Sequence, residues 1–388
     1  MLESSPEDNG FAQHKYCPYD RNILFLLRLY QFLNQGLTMK HLFIFIILNL
    51  IFLIVKSCSE NGVKPPNTGQ DTTSHAFTWR IDTLGKYPSF FHDVTVIDEN
   101  NIWAVGEVTT DSGTYGGAHW DGNKWHLQKF PWDGGSSATP IRCVWEGTDN
   151  NLWVAAASIF LWDGEKLNMK WRVPSFGKGV EQIWKIAEDN IYFVGGLGTI
   201  VHYNGSSFKE LNSNTNIHLR GISGNNKGNV FVTGYEQNGD AVALEIVNEN
   251  VTELYRSIGP ANVPQGNYGV FLSVWTGDED AYFLTDAGLL TVNIQSRKKI
   301  LSNNHELTYP FARHDIEGQA GNDLIIVSGR GKAVHWNGST WSLHTEMFDQ
   351  YPNQTLTTYG ADYRSETVAY AGPYQFGNKA FIVIGKHN

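Results

Sequence analysis

One short apolar run sets the pattern of this chain. Ile102-Trp103-Ala104-Val105 returns as Leu152-Trp153-Val154-Ala155, Ile191-Tyr192-Phe193-Val194, Val230-Phe231-Val232-Thr233, Ala281-Tyr282-Phe283-Leu284, Leu324-Ile325-Ile326-Val327 and Val368-Ala369-Tyr370-Ala371. Stepping between the second residues of successive runs gives 50, 39, 39, 51, 43 and 44 residues. A recurrence of that length, with turn residues between short apolar runs, predicts a repeated four-stranded antiparallel sheet.

The first repeat shows the unit most fully. Residues 92–97, 102–107, 117–120 and 124–129 read as strands, and Asp121-Gly122 supplies the turn between the last two, because glycine and its acidic neighbour accept the backbone angles of a tight hairpin. The same turn follows as Trp162-Asp-Gly-Glu-Lys-Leu167, Tyr203-Asn-Gly-Ser-Ser-Phe208 and Trp336-Asn-Gly-Ser-Thr-Trp341, and is degraded around Val247 and Ile294. A large apolar residue on each side of the turn can pair across the hairpin and hold its register. Acidic, Asn-rich turns such as 98–101 and 278–280 suit calcium in composition, but Asn and Asp are also what tight turns require.

Closure follows from a mismatch at the two ends. The seventh repeat has strands near 356–361, 367–371 and 380–384 and lacks an outer strand. Thr78-Trp79-Arg80-Ile81-Asp82-Thr83 has the pattern of the outer strands at 124–129 and 340–345. The expected fold is therefore an all-β, seven-bladed β-propeller over residues 75–388, with residues 77–83 pairing with 380–385 so that no lone sheet edge remains.

Before the propeller the pattern changes. An apolar run at 42–55 follows Met39 and Lys40, short for a membrane span and suited to a signal-peptide core. It ends in Val55-Lys56-Ser57-Cys58-Ser59, which resembles the lipobox of bacterial lipoproteins. That resemblance implies a signal peptide over 39–57, a lipid on Cys58 and transfer toward the outer membrane, with Lys56 a departure from the usual pattern. Residues 1–38 then read as over-translated leader. If Met1 is instead the start, Arg21, Arg28 and Lys40 ahead of the run make it a signal anchor. Both readings put the bulk of the chain outside the cytoplasm. Residues 58–74, with Pro65-Pro66, read as a flexible tether.

Composition narrows the partners. Aromatics at 13%, 39 glycines and 18% charged residues suit a turn-rich β protein. Lys and Arg number 29 against 39 acidic residues, a net charge of −10 that disfavours nucleic acid and anionic headgroups. Of the three cysteines, Cys17 lies in the leader, Cys58 is the lipid candidate, and Cys143 reads as a small core residue. No metal spacing and no cofactor motif appears, so neither a metal nor a cofactor is expected.

The run Glu146-Gly-Thr-Asp-Asn-Asn-Leu-Trp-Val-Ala, with Leu161-Trp-Asp-Gly164, resembles the repeats of bacterial two-component-regulator propellers, and the Asp-Gly hairpins resemble the Asp-box turns of BNR-type, sialidase-like propellers. The resemblance implies the fold and, by analogy, extracytoplasmic sensing or binding. Sialidase-like propellers use an arginine triad, a Tyr-Glu pair and an Asp. Arg142, Arg220, Arg313 and Tyr359 stand near starts of first strands, but no Phe-Arg-Ile-Pro element, GxSxG, HExxH or P-loop is present.

Two sets of candidate residues emerge. The loops expected on one face carry Phe91, Tyr115, Trp132, Phe176, Tyr268, Tyr309, Phe311, Phe348, Tyr351 and Tyr374, which together could stack on sugars or anchor a protein, or singly cap the blade cores. Counting eleven residues back from each anchor brings His92, Arg142, Glu181, Arg220, Leu272 (with one residue lost), His314 and Thr358 into line, and His92-Asp93 repeats as His314-Asp315. These would ring the channel mouth, binding a charged group or simply facing channel water. The expectation is a monomeric, lipid-anchored module that binds glycan or an envelope protein without chemistry. A glycan-cleaving hydrolase and an envelope assembly or scaffold factor are the alternatives.

Overall fold

The computed structural model describes residues 73–133, 140–174, 177–258, 268–302, 315–328, 331–348 and 356–388. Leader, signal segment, Cys58 and most of the tether lie outside the described residues.

Seven four-stranded antiparallel sheets form the propeller. Their first strands are Lys86–Asp98, Cys143–Glu146, Val180–Ala187, Leu219–Gly224, Phe271–Thr276, Asp315–Ala320 and Gly360–Arg364. Each touches the next around a ring, and that of blade seven meets that of blade one. Blade faces pack on their neighbours, so the core is a set of slabs between blades. Phe91, Val94 and Ile102 of blade one meet Ala369 and Ile382 of blade seven, and Val194 and Ile200 of blade three meet Leu219 and Val232 of blade four. Each fully buried Leu, Ile, Val or Phe contributes about 1.5–3 kcal/mol by leaving water.

The hairpin motif works as a register device. The side-chain oxygen of Asp121 accepts the backbone N–H of Asn123 and Lys124 at 2.9 and 2.8 Å. Asp163 accepts from Glu165 and Lys166 at 3.0 and 2.8 Å, Asn204 from Ser206 and Ser207 at 3.1 and 2.9 Å, and Asn337 from Ser339 and Thr340 at 3.0 and 2.9 Å. These bonds hold the Asp163 carboxyl down at about 2. The flanking residues pair across each turn: Trp120 with Trp125, Trp162 with Leu167, Tyr203 with Phe208, and Trp336 with Trp341.

Closure takes the expected form and runs longer. The N-terminal strand Phe77–Leu84 lies antiparallel on the last strand, Lys379–His387, in a register from Phe77 opposite His387 to Leu84 opposite Ala380. Gly385 sits opposite Trp79, whose ring fills the space a Cβ would take. Blade one also exceeds its expected length. Its first two strands are Lys86–Asp98 and Asn101–Thr110, a hairpin standing well beyond the four-residue strands of blade two.

Candidate binding site at the channel mouth

A β-bulge at one repeated position builds the channel mouth. The register between first and second strands slips between Phe91 and Asp93, Val180 and Gln182, Leu219 and Gly221, and Phe271 and Ser273. The skipped residues are His92, Glu181, Arg220 and Leu272, and all four line one cavity. A bulge inserts one residue into a strand and re-aims its side chain. Arg142 and Thr358, each just ahead of a first strand, line the same cavity with Gln182, Tyr235, Ser273, Asp315 and Tyr359.

The mouth carries mixed charge. The His92 ring stacks on Tyr359 across the blade seven and blade one junction, 5.8 Å between centroids and 15° between planes. Arg142 reaches Glu181 at 3.7 Å and keeps 39% of its side chain exposed, a loose pair. Arg220 donates from Nε to the Tyr235 carbonyl at 3.2 Å and lies 4.9 Å over that ring. The enclosed space is about 30 Å³, room for water rather than a sugar ring, so a ligand would rest on the rim.

The two Asp residues of the repeated His-Asp dipeptide do another job. Asp93 is 5% exposed and accepts the N–H of Val94 at 2.9 Å and of Val144, in blade two, at 3.0 Å. It is a tie between blades rather than a rim group, because the bulge at His92 leaves the next side chain turned into the sheet stack. Burial pushes its carboxyl well above the usual range. Asp315 accepts from Ser273 Oγ at 2.6 Å and the Ile316 N–H at 3.0 Å, and burial pushes it up to about 6 against these bonds. His314 lies outside the described residues.

Among the described residues, the aromatic set does not assemble as one exposed face. Phe91 is fully buried between blades one and seven, and Tyr374 is 8% exposed in the core of blade seven. Trp132 is half-buried against Phe160, 5.8 Å away edge-on, and plugs the space between blades one and two. Tyr115 is half-buried on the third strand of blade one, Gly113–Trp120, with Lys129 Nζ 5.3 Å above its ring. Tyr268 lines an apolar groove of about 370 Å³ between blades four and five with Tyr255 and Phe271, edged by Glu245, Arg297 and Lys299. Phe176, Tyr309, Phe311 and Tyr351 lie outside the described residues, as does the side chain of Phe348. Cys143 is buried, and burial pushes its thiol up.

Two clusters escape motif reading. At the far ends of the first strands, the Arg364 guanidinium lies 4.1 Å over Trp145 and reaches Asp362 at 3.1 Å and Glu146 at 3.4 Å. Lys185 meets Glu146 at 3.6 Å and Glu188 at 2.6 Å. Glu317 is pushed well up by burial and by the Asp315 and Asp362 charges. The second cluster gathers Asp323, His335, Tyr363 and His387 where blade six meets the ring closure. Its one sequence signal is a histidine ahead of the hairpin turn, in His119-Trp120-Asp121, His202-Tyr203-Asn204 and His335-Trp336-Asn337.

No family model and no curated protein matches the chain. Among solved structures it is similar to YCF48 bound to D1 peptide, at 13% identity and a TM-score of 0.55 over 80% of this chain and 95% of that one. YCF48 from Cyanidioschyzon merolae is similar at 13% identity and a TM-score of 0.52, over 79% of this chain and 98% of that one. The extracellular domain of the one-component system BT4673 from B. thetaiotaomicron is similar at 15% identity and a TM-score of 0.52, over 78% of this chain but 40% of that one. At these identities the likeness is one of fold.

Proposed function

We propose that this protein is an extracytoplasmic interaction module, lipid-anchored at Cys58, that takes a carboxylate-bearing polypeptide segment of an envelope protein on its channel mouth and performs no chemistry there. One observation carries the reading. Four first strands break register at the residue lining the mouth, which brings His92, Glu181 and Arg220 beside Arg142 and Tyr359. Arg142 is only loosely paired and Arg220 is held by a carbonyl and a ring, so both can turn to a carboxylate, the planar acceptor a guanidinium fits. A peptide lies on a propeller in YCF48 bound to D1 peptide, which supports a polypeptide ligand by analogy of fold.

The test is fluorescence anisotropy with acidic, neutral and basic peptides at low and moderate salt. Acidic peptides are expected to bind, weakening with salt, and Arg142→Ala with Arg220→Ala to lose roughly tenfold or more in affinity, about 1.4 kcal/mol. Equal binding of basic peptides, or an unaffected double variant, ends the reading. Anchoring is checked separately: Cys58→Ser is expected to move the protein from the membrane to the soluble fraction.

A glycan ligand is the second reading, favoured by the groove of Tyr255, Tyr268 and Phe271 with Arg297 and Lys299 at its edge. Loss of glycan-array binding on Tyr268→Ala, with peptide binding intact, would favour it. No turnover of chromogenic glycosides is expected.

A further inference from the structure

The closure seam gathers two imidazoles, a tyrosine hydroxyl and a carboxylate. His387 Nε2 lies 2.6 Å from the Ser74 carbonyl oxygen, a pure acceptor, so that nitrogen carries the proton. In the neutral ring, Nδ1 then presents a lone pair to the Tyr363 hydroxyl, 2.9 Å away. The single proton of that hydroxyl is also claimed by both oxygens of Asp323, at 3.0 and 3.2 Å. His335 Nε2 approaches Asp323 Oδ1 at 2.9 Å, while its Nδ1 lies 2.9 Å from His75 Nδ1. With no metal bound, His335 Nε2 donates to Asp323, and one ligand atom from each of Asp323, His335 and His387 lies within 4.8 Å of the others.

We propose that Asp323, His335 and His387 bind one divalent transition ion of the zinc class, which fastens blade six to the last strand of the closed ring. Two imidazoles and a carboxylate are a familiar donor set for such an ion. The nitrogen of each ring facing away from the carboxylate is already held, by Ser74 O for His387 and by His75 for His335, as the nitrogens of metal-bound histidines usually are. His75 is fixed in turn on Thr340 Oγ1 at 3.0 Å. The site is sealed. His335 is fully buried, and Phe77 stacks on the His387 ring at 4.5 Å while meeting His335 edge-on at 5.0 Å.

An internal control marks the site as more than the repeat. His119 Nε2 meets Asn101, and His202 Nε2 meets Asn190, each at 2.9 Å, where His335 meets a carboxylate. The ring nitrogen on this side meets a neutral amide in blades one and three, and the other nitrogen of His202 meets Glu249 at 2.8 Å. Asp323 adds the charge where the chain ends bring in His387.

The test uses the full chain, stripped with EDTA and titrated with zinc or cobalt chloride. One ion per chain is expected, with a visible cobalt spectrum of low coordination and a Tm raised about 5 °C at saturating zinc. Asp323→Asn, which installs the amide of blades one and three, is expected to keep the circular dichroism spectrum and lose stoichiometric binding, and His387→Gln to lose it as well. Sub-stoichiometric zinc with a Tm indifferent to EDTA overturns the proposal, as does unchanged binding in Asp323→Asn. If metal has no effect while Asp323→Asn alters the pH dependence of melting, the cluster is a proton-linked hydrogen-bond network and not a metal site.

Discussion

Blades three and six carry the same histidine on the same strand and use it differently. In blade three His202 stacks on Tyr192, 4.4 Å between centroids, and its two nitrogens meet Asn190 and Glu249 at 2.9 and 2.8 Å. Every partner comes from within the repeat or the next blade. In blade six the residue paired beneath His335 is Ile325, and the aromatic and polar partners come from the two ends of the chain, His75, Phe77 and His387. The same local pattern therefore serves as filler in one place and as the floor of a closure site in the other. What differs is who arrives from afar, and one atom of charge, Asp323 for Asn190.

The largest expected effect comes from removing the arriving segment. Deleting Phe77–Leu84 exposes the edge of the last strand and unpacks Phe77, Trp79 and Ile81. At roughly 1.5–3 kcal/mol per apolar side chain the loss approaches the whole margin of a folded domain. Limited proteolysis is expected to cut first in blade seven and leave blade three resistant longest. Uniform digestion of all blades would mean that the seam is not special.

A reciprocal exchange sharpens the contrast. Asp323→Asn is expected to erase the zinc-dependent gain in Tm, whereas Asn190→Asp is expected to create no metal site, because the second imidazole of the blade six cluster, His387, is brought in by the closing strand. The cost of Asn190→Asp is expected within about 1–2 kcal/mol. Zinc binding gained by Asn190→Asp in an Asp323→Asn background would show that the carboxylate alone makes the site.

The smallest effect is a pH term at the mouth. At the register position of Asp315 blade three has Gln182. Asp315 is pushed up to about 6 in the fold from 3.8, so the native state holds its proton more tightly than the unfolded chain. The stability this adds is complete below about pH 3.8 and lost as pH rises through about 6. Between pH 7 and pH 5 the wild type is expected to gain about 1 kcal/mol that Asp315→Asn does not, read from denaturant midpoints. An equal pH dependence in both proteins would place the carboxyl in water.

Much of the architecture could be read before any coordinates. The hairpins were legible because Asp121, Asp163, Asn204 and Asn337 act on backbone N–H groups two and three residues away. The alignment of His92, Glu181 and Arg220 was legible because a bulge at a constant distance from the anchor keeps its place when blades repeat. Phe91 and Asp93 were misplaced for the same reason: the bulge between them shifts the alternation, and nothing in the residue types marks where the shift falls.

By itself the sequence determined the seven sheets, their turns and the borrowed strand, since periodicity, turn chemistry and pattern matching are properties of neighbours along the chain. Only the tertiary structure decided which side chains lie inside and which groups meet at the seam. His75, Asp323, His335, Tyr363 and His387 share no spacing, and they come within hydrogen-bonding reach only when a closed ring brings the first and last strands together beside blade six.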